Sequence, residues 1–287
     1  MELIRTDHGY LQVSPLPSRE DLSAYYRDRY YDPASSSSAY AQTYTPDERR
    51  HKQLPAQEIM ALVPAGRTVF ELGVGEGFVL GALKEAGWDV AGVDFTRSGL
   101  EMWHPNLVES VFEGDGVAIM EQLHGANRRF DVVVCNNVLE HVLDPVGVLR
   151  QVRNIIAPGG RARIVVPNDD SLIQRTVIGH KLADDQFWLH YPDHLNYFTF
   201  TSMAHLLEAE GWQIEEMLGD FPIDLFLLNP DSNYVLDPER GVNCQAARIA
   251  AELAIADRGI PQLLEFRRGC AGGEIGRNVV VYTSPAS

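Results

Sequence analysis

The segment Val69–Phe78 constrains this chain most strongly. It reads Val-Phe-Glu-Leu-Gly-Val-Gly-Glu-Gly-Phe, an apolar strand breaking into alternate glycines, Gly73, Gly75 and Gly77. Val79, Leu80 and Leu83 then mark a helix that ends at Gly87. A second strand, Trp88 to Val93, runs into Asp94. Strand, glycine turn, helix, strand and acid together make a nucleoside-binding half-fold. The glycines let a ligand approach the backbone, and the carboxylate can accept from both ribose hydroxyls. Asp94 follows Gly73 by 21 positions, close to the roughly 20 expected of such a carboxylate.

The same segment speaks to the ligand's charge. A dinucleotide fingerprint wants Gly or Ala where Phe78 stands, so that helix and strand pack closely over a pyrophosphate. Glu71, two residues before the first glycine, disfavours phosphate and suits a cation. Both residues argue against an NAD-dependent oxidoreductase. Glu71, the glycines and Asp94 resemble motif I of class I S-adenosylmethionine-dependent methyltransferases. The ligand of that family carries an ammonium and a sulfonium but no phosphate. The resemblance implies S-adenosyl-L-methionine as cofactor and S-adenosyl-L-homocysteine as product. A glycine-rich turn without a ligand is the bland alternative, and it leaves the common register of acid, glycines and Asp94 unexplained.

Charge and composition narrow the partners. A formal net charge of −16 weakens attraction to phosphate backbones, so no nucleic acid partner is expected. The one dense basic run, Arg49-Arg50-His51-Lys52, reads as a solvated helix face. Three scattered cysteines, Cys135, Cys244 and Cys270, suit neither a zinc site nor a disulfide framework and point to a reducing cytoplasm. No signal peptide and no run of 18 apolar residues are visible, so no membrane association is expected. The partner is a small-molecule acceptor, with a homodimer left open.

Alternation of strands and helices predicts an α/β fold with a Rossmann-like, mostly parallel seven-stranded sheet and helices on both faces. Residues 1–52 read as an N-terminal helical lid and 53–287 as the main domain, with substrate-side insertions at 168–200 and 218–277. Strands are expected at Thr68–Leu72, Asp89–Asp94, Val108–Glu113, Asp131–Cys135, Ala162–Val166, Gln213–Met217 and Asn278–Thr283. Helices are expected at Gln53–Val63, Pro145–Ile156, Thr201–Glu210, Val242–Asp257 and Pro261–Arg267. The lid carries Tyr25, Tyr26, Tyr30 and Tyr31. Tyr25 and Tyr30 are candidate substrate contacts, or core-facing rings of an amphipathic helix.

Ligands of open α/β sheets bind at the carboxyl ends of the strands. Phe95 and Thr96 follow the second strand, and Asp115, Gly116 and Val117 follow the third, where a carboxylate could accept from an adenine amino group. The fourth opens into Asn136-Asn137-Val138-Leu139-Glu140-His141-Val142, then Asp144-Pro145. This exit also resembles the methyltransferase family, and implies that Asn136 and Asn137 line the methionine moiety. His141 joins the cofactor candidates, with Glu140 and His141 read chiefly as loop-orienting. Residues flanking this core, among them Asp193-His194-Leu195-Asn196-Tyr197-Phe198, resemble a bacterial subgroup linked to sugar and surface-polysaccharide modification. The resemblance implies a hydroxyl acceptor on a sugar, nucleotide sugar, or capsule or natural-product intermediate. A nitrogen or carbon acceptor, and a non-catalytic donor-binding protein, are the alternatives.

His194 is the favoured general base, since imidazole titrates near neutral pH and Asp193 adjoins it. His190 and Asp169 are the fallbacks. Asn168, Asp170, Asn196, Tyr197, Asp224 and Asn233 are candidate substrate ligands. The pair Asp169-Asp170 alone does not make a magnesium site, and no metal is expected.

Overall fold

A computed structural model describes residues 1–25 and 43–286. Its main body is a seven-stranded sheet in the order β5-β4-β3-β6-β7-β10-β9. The strands are β3 (Thr68–Leu72), β4 (Asp89–Asp94), β5 (Val111–Glu113), β6 (Phe130–Asn136), β7 (Ile156–Pro167), β9 (Trp212–Gly219) and β10 (Asn278–Pro285). β3 to β7 pair in parallel, and β10 runs antiparallel to both β7 and β9. Strand order reverses between β3 and β6, so their carboxyl ends flank the crevice where such sheets bind ligands.

The apolar runs are unbroken because both faces of the sheet are covered. Along β6, Val133 and Cys135 join one core while Val132 and Val134 join the other. The first core is closed by α5 (Gly116–Gly125), α6 (Pro145–Ile155) and α8 (Phe200–Ala209). The second is closed by α2 (Pro46–Leu62), α3 (Phe78–Glu85) and α10 (Ile260–Gly272). The helices start where the sequence supplies caps. Asp144 accepts from Gly147 N–H, with Pro145 in the first turn of α6, and Thr45 and Glu48 form a capping box at α2.

Departures from expectation lie at the edges. Val108–Ser110 belongs to a 3₁₀ turn, so β5 is shorter than predicted. β7 starts at Ile156, earlier than the expected Ala162, and carries Pro158-Gly159-Gly160 within it beside a register irregularity in its pairing with β6. Helix α2 begins at Pro46, so the boundary placed at residue 52 falls within it. The N-terminal segment holds the expected helix, α1 (Arg19–Tyr25), but opens with a hairpin, β1 (Glu2–Arg5) and β2 (Leu11–Ser14). β2 pairs with β8 (Asn196–Tyr197), inside the stretch expected to be loop-rich, to make a three-stranded sheet. The same stretch contains α7 (Leu172–Gly179). Tyr26, Tyr30 and Tyr31 lie outside the described residues.

A buried ion network ties α2, β7, α9 (Arg240–Ala256) and α10 together. Glu58 Oε1 accepts from Arg163 Nε at 3.0 Å and Tyr282 Oη at 2.9 Å, and its Oε2 accepts from Arg267 Nη1 at 2.5 Å. Arg267 Nη2 also reaches Glu252 Oε1 at 2.7 Å, and His51 Nε2 lies 2.7 Å from Glu252 Oε2. Burial alone would protonate Glu58. The two guanidiniums outweigh it and hold its carboxyl below the usual range. The basic run read as solvated is therefore partly engaged: His51 meets Glu252, and Lys52 meets Glu76 at 2.8 Å. Glu58→Ala strips Arg163 of its only carboxylate among the described residues and leaves Arg267 with Glu252 alone. It is expected to destabilise the fold by about 3–5 kcal/mol, read from the midpoint of urea unfolding at unchanged m-value.

Candidate active site

Three left-handed residues shape the turn after β3: Gly73 at φ 76°, Gly75 at φ 57° and Gly77 at φ 81°. Only glycine adopts these angles without strain. The turn is pinned from β4, where Asp94 Oδ2 accepts from Gly75 N–H at 2.7 Å and Oδ1 from Thr96 N–H at 3.2 Å. Burial raises the Asp94 pKa against those backbone bonds. Phe95, beside it, is 59% exposed.

Glu71 stands at the carboxyl end of β3, 3% exposed. Its Oε2 has no hydrogen-bond partner. Desolvation, with Asp94 adding to it and Arg163 opposing, pushes its pKa up to about 8. Asn136 Oδ1, at the end of β6, accepts from Arg163 Nη1 at 2.5 Å. Asn137 is exposed and left-handed at φ 52°, and its Nδ2 donates to Glu140 Oε1 at 3.1 Å. Asp115 caps α5 by accepting from Ala118 N–H at 2.9 Å, so its first duty is structural. A Cβ at Gly116 would meet the tip of the Leu72 side chain, which would have to shift to admit it.

The aromatic loop before β8 folds over the β6 exit. Leu195 and Asn196 N–H both donate to Glu140 O, at 2.7 and 3.1 Å. Asn196 Nδ2 donates to Leu139 O and Val142 O at 2.9 and 2.7 Å, while its Oδ1 accepts from Gln12. This brings Glu140, His141, Asp193 and His194 into one cluster. His141 Nδ1 lies 2.9 Å from Asp193 O and 3.3 Å from Asp193 Oδ1. Burial opposes charge on His141, but Asp193 and Glu140 raise its pKa overall. His194 packs edge-on against His141 and His190, at 4.8 and 5.3 Å between ring centres. Burial first, then cationic neighbours, push His194 down to about 3. Glu140, 1% exposed, is pushed up by burial to about 7.

Asp169, just past β7, is buried. Its Oδ1 accepts from Arg277 Nη1 at 3.0 Å and its Oδ2 has no partner. Burial raises its pKa against the pull of Arg277. A cavity of about 580 Å³ opens beside it, lined by Arg5, Asp170, Arg175, Thr199, His205 and Glu274 among others. The cavity includes Tyr197 but not the glycine turn.

Five expected substrate ligands make polar contacts within the protein, and two of them, Asn168 and Asp170, also line the cavity. Asn168 Nδ2 donates to Glu274 O and Gly276 O. Asp170 is gripped by Arg175 through both oxygens at 3.1 and 3.0 Å. Asn196 is the loop tie just described. Asp224 accepts from Gln174 and Tyr234, at 2.9 and 2.6 Å. Asn233 donates to Leu182 O and Leu227 O and accepts from Val235 and Leu236 N–H. Tyr197 spends its hydroxyl proton on His194 O at 2.9 Å. His190 is exposed, and Tyr25 is half-buried at the end of α1. Arg277, which the sequence reading does not nominate, reaches Asp169 only because β10 lies antiparallel on β7, with Asn278 opposite Pro167.

A family profile described as "Methyltransferase domain" matches residues 47–217, more than half of the chain. The chain belongs to this methyltransferase-domain family. It is similar to the ubiquinone biosynthesis O-methyltransferase of Aeromonas salmonicida, 27% identical over 187 residues, or 61% of this chain and 79% of the relative. The namesake from Thiobacillus denitrificans is 33% identical over 158 residues, covering 54% and 68%. That of Stutzerimonas stutzeri is 35% identical over 99 residues, covering 34% and 43%, so this match spans less than half of the relative. Among solved structures, the Burkholderia thailandensis 1,6-didemethyltoxoflavin-N1-methyltransferase superposes with a TM-score of 0.52 at 14% identity over 100% of both chains. The CcbJ methyltransferase of Streptomyces caelestis gives 0.50 at 18%, over 86% of this chain and 93% of that one. At such identities the likeness establishes the Rossmann-like fold. The names of these three relatives refer to ubiquinone biosynthesis and not to a sugar or polysaccharide. Among the described residues, no helix is long and apolar enough to cross a membrane.

Proposed function

We propose that this methyltransferase domain transfers a methyl group from S-adenosyl-L-methionine to a hydroxyl of a small-molecule acceptor. One observation carries the reading. Glu71, a buried carboxylate with a partnerless oxygen, lies at the root of a left-handed glycine turn tied to Asp94. A phosphate would gain no counter-charge there, whereas an ammonium gives Oε2 its missing partner. Asp94 keeps lone pairs for ribose hydroxyls, Phe95 offers its exposed ring to the adenine, and Asn137 lies at the methionine end. Val117 and Gly116 flank the adenine edge from the first turn of α5, with Asp115 beside them.

The donor supplies a methyl group already activated on sulfonium. The acceptor O–H bond breaks, an O–C bond forms, the C–S bond breaks, and a neutral thioether and a proton leave. Alignment of two bound reactants contributes roughly 7–11 kcal/mol, and handling the proton roughly 3–5 kcal/mol. His194 is the expected proton acceptor, but a pKa of about 3 makes an isolated imidazole a weak base at neutral pH. Glu140, at about 7, is better matched to the task. The reading therefore assigns the proton to the cluster of Glu140, His141, Asp193 and His194 as a unit. Asp169 faces the acceptor cavity and His190 lies at the cluster's exposed side.

The polar lining of the cavity beside Asp169 supports a polyhydroxylated acceptor such as a sugar or nucleotide sugar. A second reading rests on the curated relatives, whose names point to an acceptor of ubiquinone biosynthesis. Incubation with donor and both acceptor panels distinguishes them. A mass gain of one methylene unit on a nucleotide sugar, and none on ubiquinone precursors, is the expected outcome. The reverse result reassigns the acceptor.

S-adenosylhomocysteine is expected to bind the wild-type protein at one site per chain by calorimetry. Asp94→Ala is expected to weaken it about tenfold or more, the loss of charge-assisted hydrogen bonds. A wild-type protein that ignores this ligand would sink the reading.

Glu71 adds a pH signature. With a folded pKa of about 8, well above that of an unfolded carboxylate, the free protein holds an extra proton near neutrality. The associated stability is complete below the unfolded pKa and is lost as pH rises through 8. An arriving ammonium favours the ionised form, so binding expels that proton. Affinity for S-adenosylhomocysteine is expected to rise between about pH 6 and pH 7.5. Calorimetry in buffers of different ionisation enthalpy should show proton release that Glu71→Gln abolishes.

A further inference from the structure

The cluster at the β6 exit has the makings of a metal centre. Glu140, His141 and His194 each present one ligand atom, all within 4.8 Å of one another. They come from two segments, the turn after β6 and the loop before β8, which Asn196 and the backbone of Leu195 lock together. Two of the three carry buried atoms with no hydrogen-bond partner, Glu140 Oε2 and His194 Nδ1. Glu140 is 1% exposed, so water does not relieve it. A buried carboxylate left this way wants a cation or a proton.

The surroundings match a ligand set. His141 commits Nδ1 to Asp193, and its Nε2 lies 3.8 Å from Glu140 Oε1. Ligating histidines characteristically give their other N–H to a carbonyl or carboxylate, which fixes the ring and the tautomer. Glu140 and Asp193 together can supply two negative charges to balance a dication. Arg277, a nearby cation, is engaged by Asp169 at 3.0 Å. Two imidazoles and one carboxylate suit zinc and its first-row neighbours rather than magnesium, which prefers oxygen. Three protein ligands leave a coordination position open for a reactant.

We propose that Glu140, His141 and His194 bind one zinc-type divalent ion whose open position receives the acceptor hydroxyl. The inference rests on the methyl-transfer reading for its role, though not for its existence. Acting as a Lewis acid, the ion lowers the pKa of the hydroxyl. With the ion bound, Glu140, His141 and His194 serve as ligands in place of the base role given to their cluster above: the O–H bond breaks, the proton leaves to water, and the oxygen lone pair bonds the methyl carbon as the C–S bond breaks and the thioether leaves. His194 is in this account a ligand, which relieves a weakly basic imidazole of serving as the base.

The test uses untagged, chelator-stripped protein titrated with zinc by calorimetry and with cobalt(II) by visible absorption. One ion per chain is expected, and Glu140→Gln and His194→Ala should each weaken it by about tenfold to a hundredfold. Because either variant could unfold, circular dichroism accompanies each. Electron paramagnetic resonance of the copper(II)-loaded wild type, which needs no variant, should show coupling to two imidazole nitrogens. No stoichiometric binding at millimolar zinc would overturn the proposal. So would folded variants with wild-type affinity, or copper spectra without imidazole coupling. S-adenosylhomocysteine is titrated on the same samples. Metal binding without it would defeat the donor assignment and leave the metal site standing, and the converse result would do the opposite.

Discussion

The hydrogen bond from Gly75 N–H to Asp94 holds the site together. It joins the ends of β3 and β4 across the parallel ladder, at the place where the chain must leave the sheet and turn into α3. Val74, packed in the second core, and Glu76, which meets Tyr44, Lys52 and His104, hold the sides of the turn, and the Asp94 bond fixes the backbone N–H between them. Asp94 supplies that anchor from a strand end whose position is fixed by five consecutive β3–β4 pairs. A carboxylate that binds the turn through its outward lone pairs still presents the remaining ones to the crevice. One residue therefore shapes the ligand's bed and offers it a contact.

A second set of constraints works at longer range. Arg163 sits on β7 with Glu58 and Tyr282 on one side and Asn136 on the other. The buried network that joins α2, α9 and α10 to the sheet thus reaches the first residue of the β6 exit. Asn196 does the equivalent for the far wall, tying the aromatic loop to Leu139, Val142 and the N-terminal hairpin. These bonds are made by uncharged or mutually paired groups, so they hold geometry without adding net charge to the crevice.

The parts legible in the sequence are those specified locally. β3 and β4 end where predicted because the glycine turn and Asp94 terminate them, and α6 starts at Pro145 because Asp144 caps it. The parts that were not legible depend on partners far along the chain. Asn168, Asp224 and Asn233 looked like ligands because polar residues in an insertion have no visible partners in a linear sequence. In space Asn168 meets the carbonyls of Glu274 and Gly276 just before β10, and Asp224 and Asn233 meet groups on or beside α7 and the 3₁₀ turn Ile223–Leu228. The β1–β2 hairpin escaped notice because its third strand, two residues long, lies more than 180 positions away. The basic run at Arg49–Lys52 read as solvated because Glu252 and Glu76 cannot be assigned to it from spacing alone.

Three carboxylates at neighbouring strand ends share one unusual property. Glu71 at the end of β3, Glu140 after β6 and Asp169 after β7 are each at least 97% buried, and each keeps one oxygen without a partner. Burial raises the pKa of all three. A fold does not gain stability from such groups, since an unmet buried oxygen carries a desolvation cost that a hydrophobic replacement would avoid. Their concentration around the switch point of the sheet, and the pairing of the Glu58 network elsewhere in the core, separates the two uses of buried charge in this chain. In the network each carboxylate meets guanidinium and holds helices in place. At the crevice the carboxylates are left short of positive charge, and that shortage favours an arriving ammonium, sulfonium or metal ion over any phosphate.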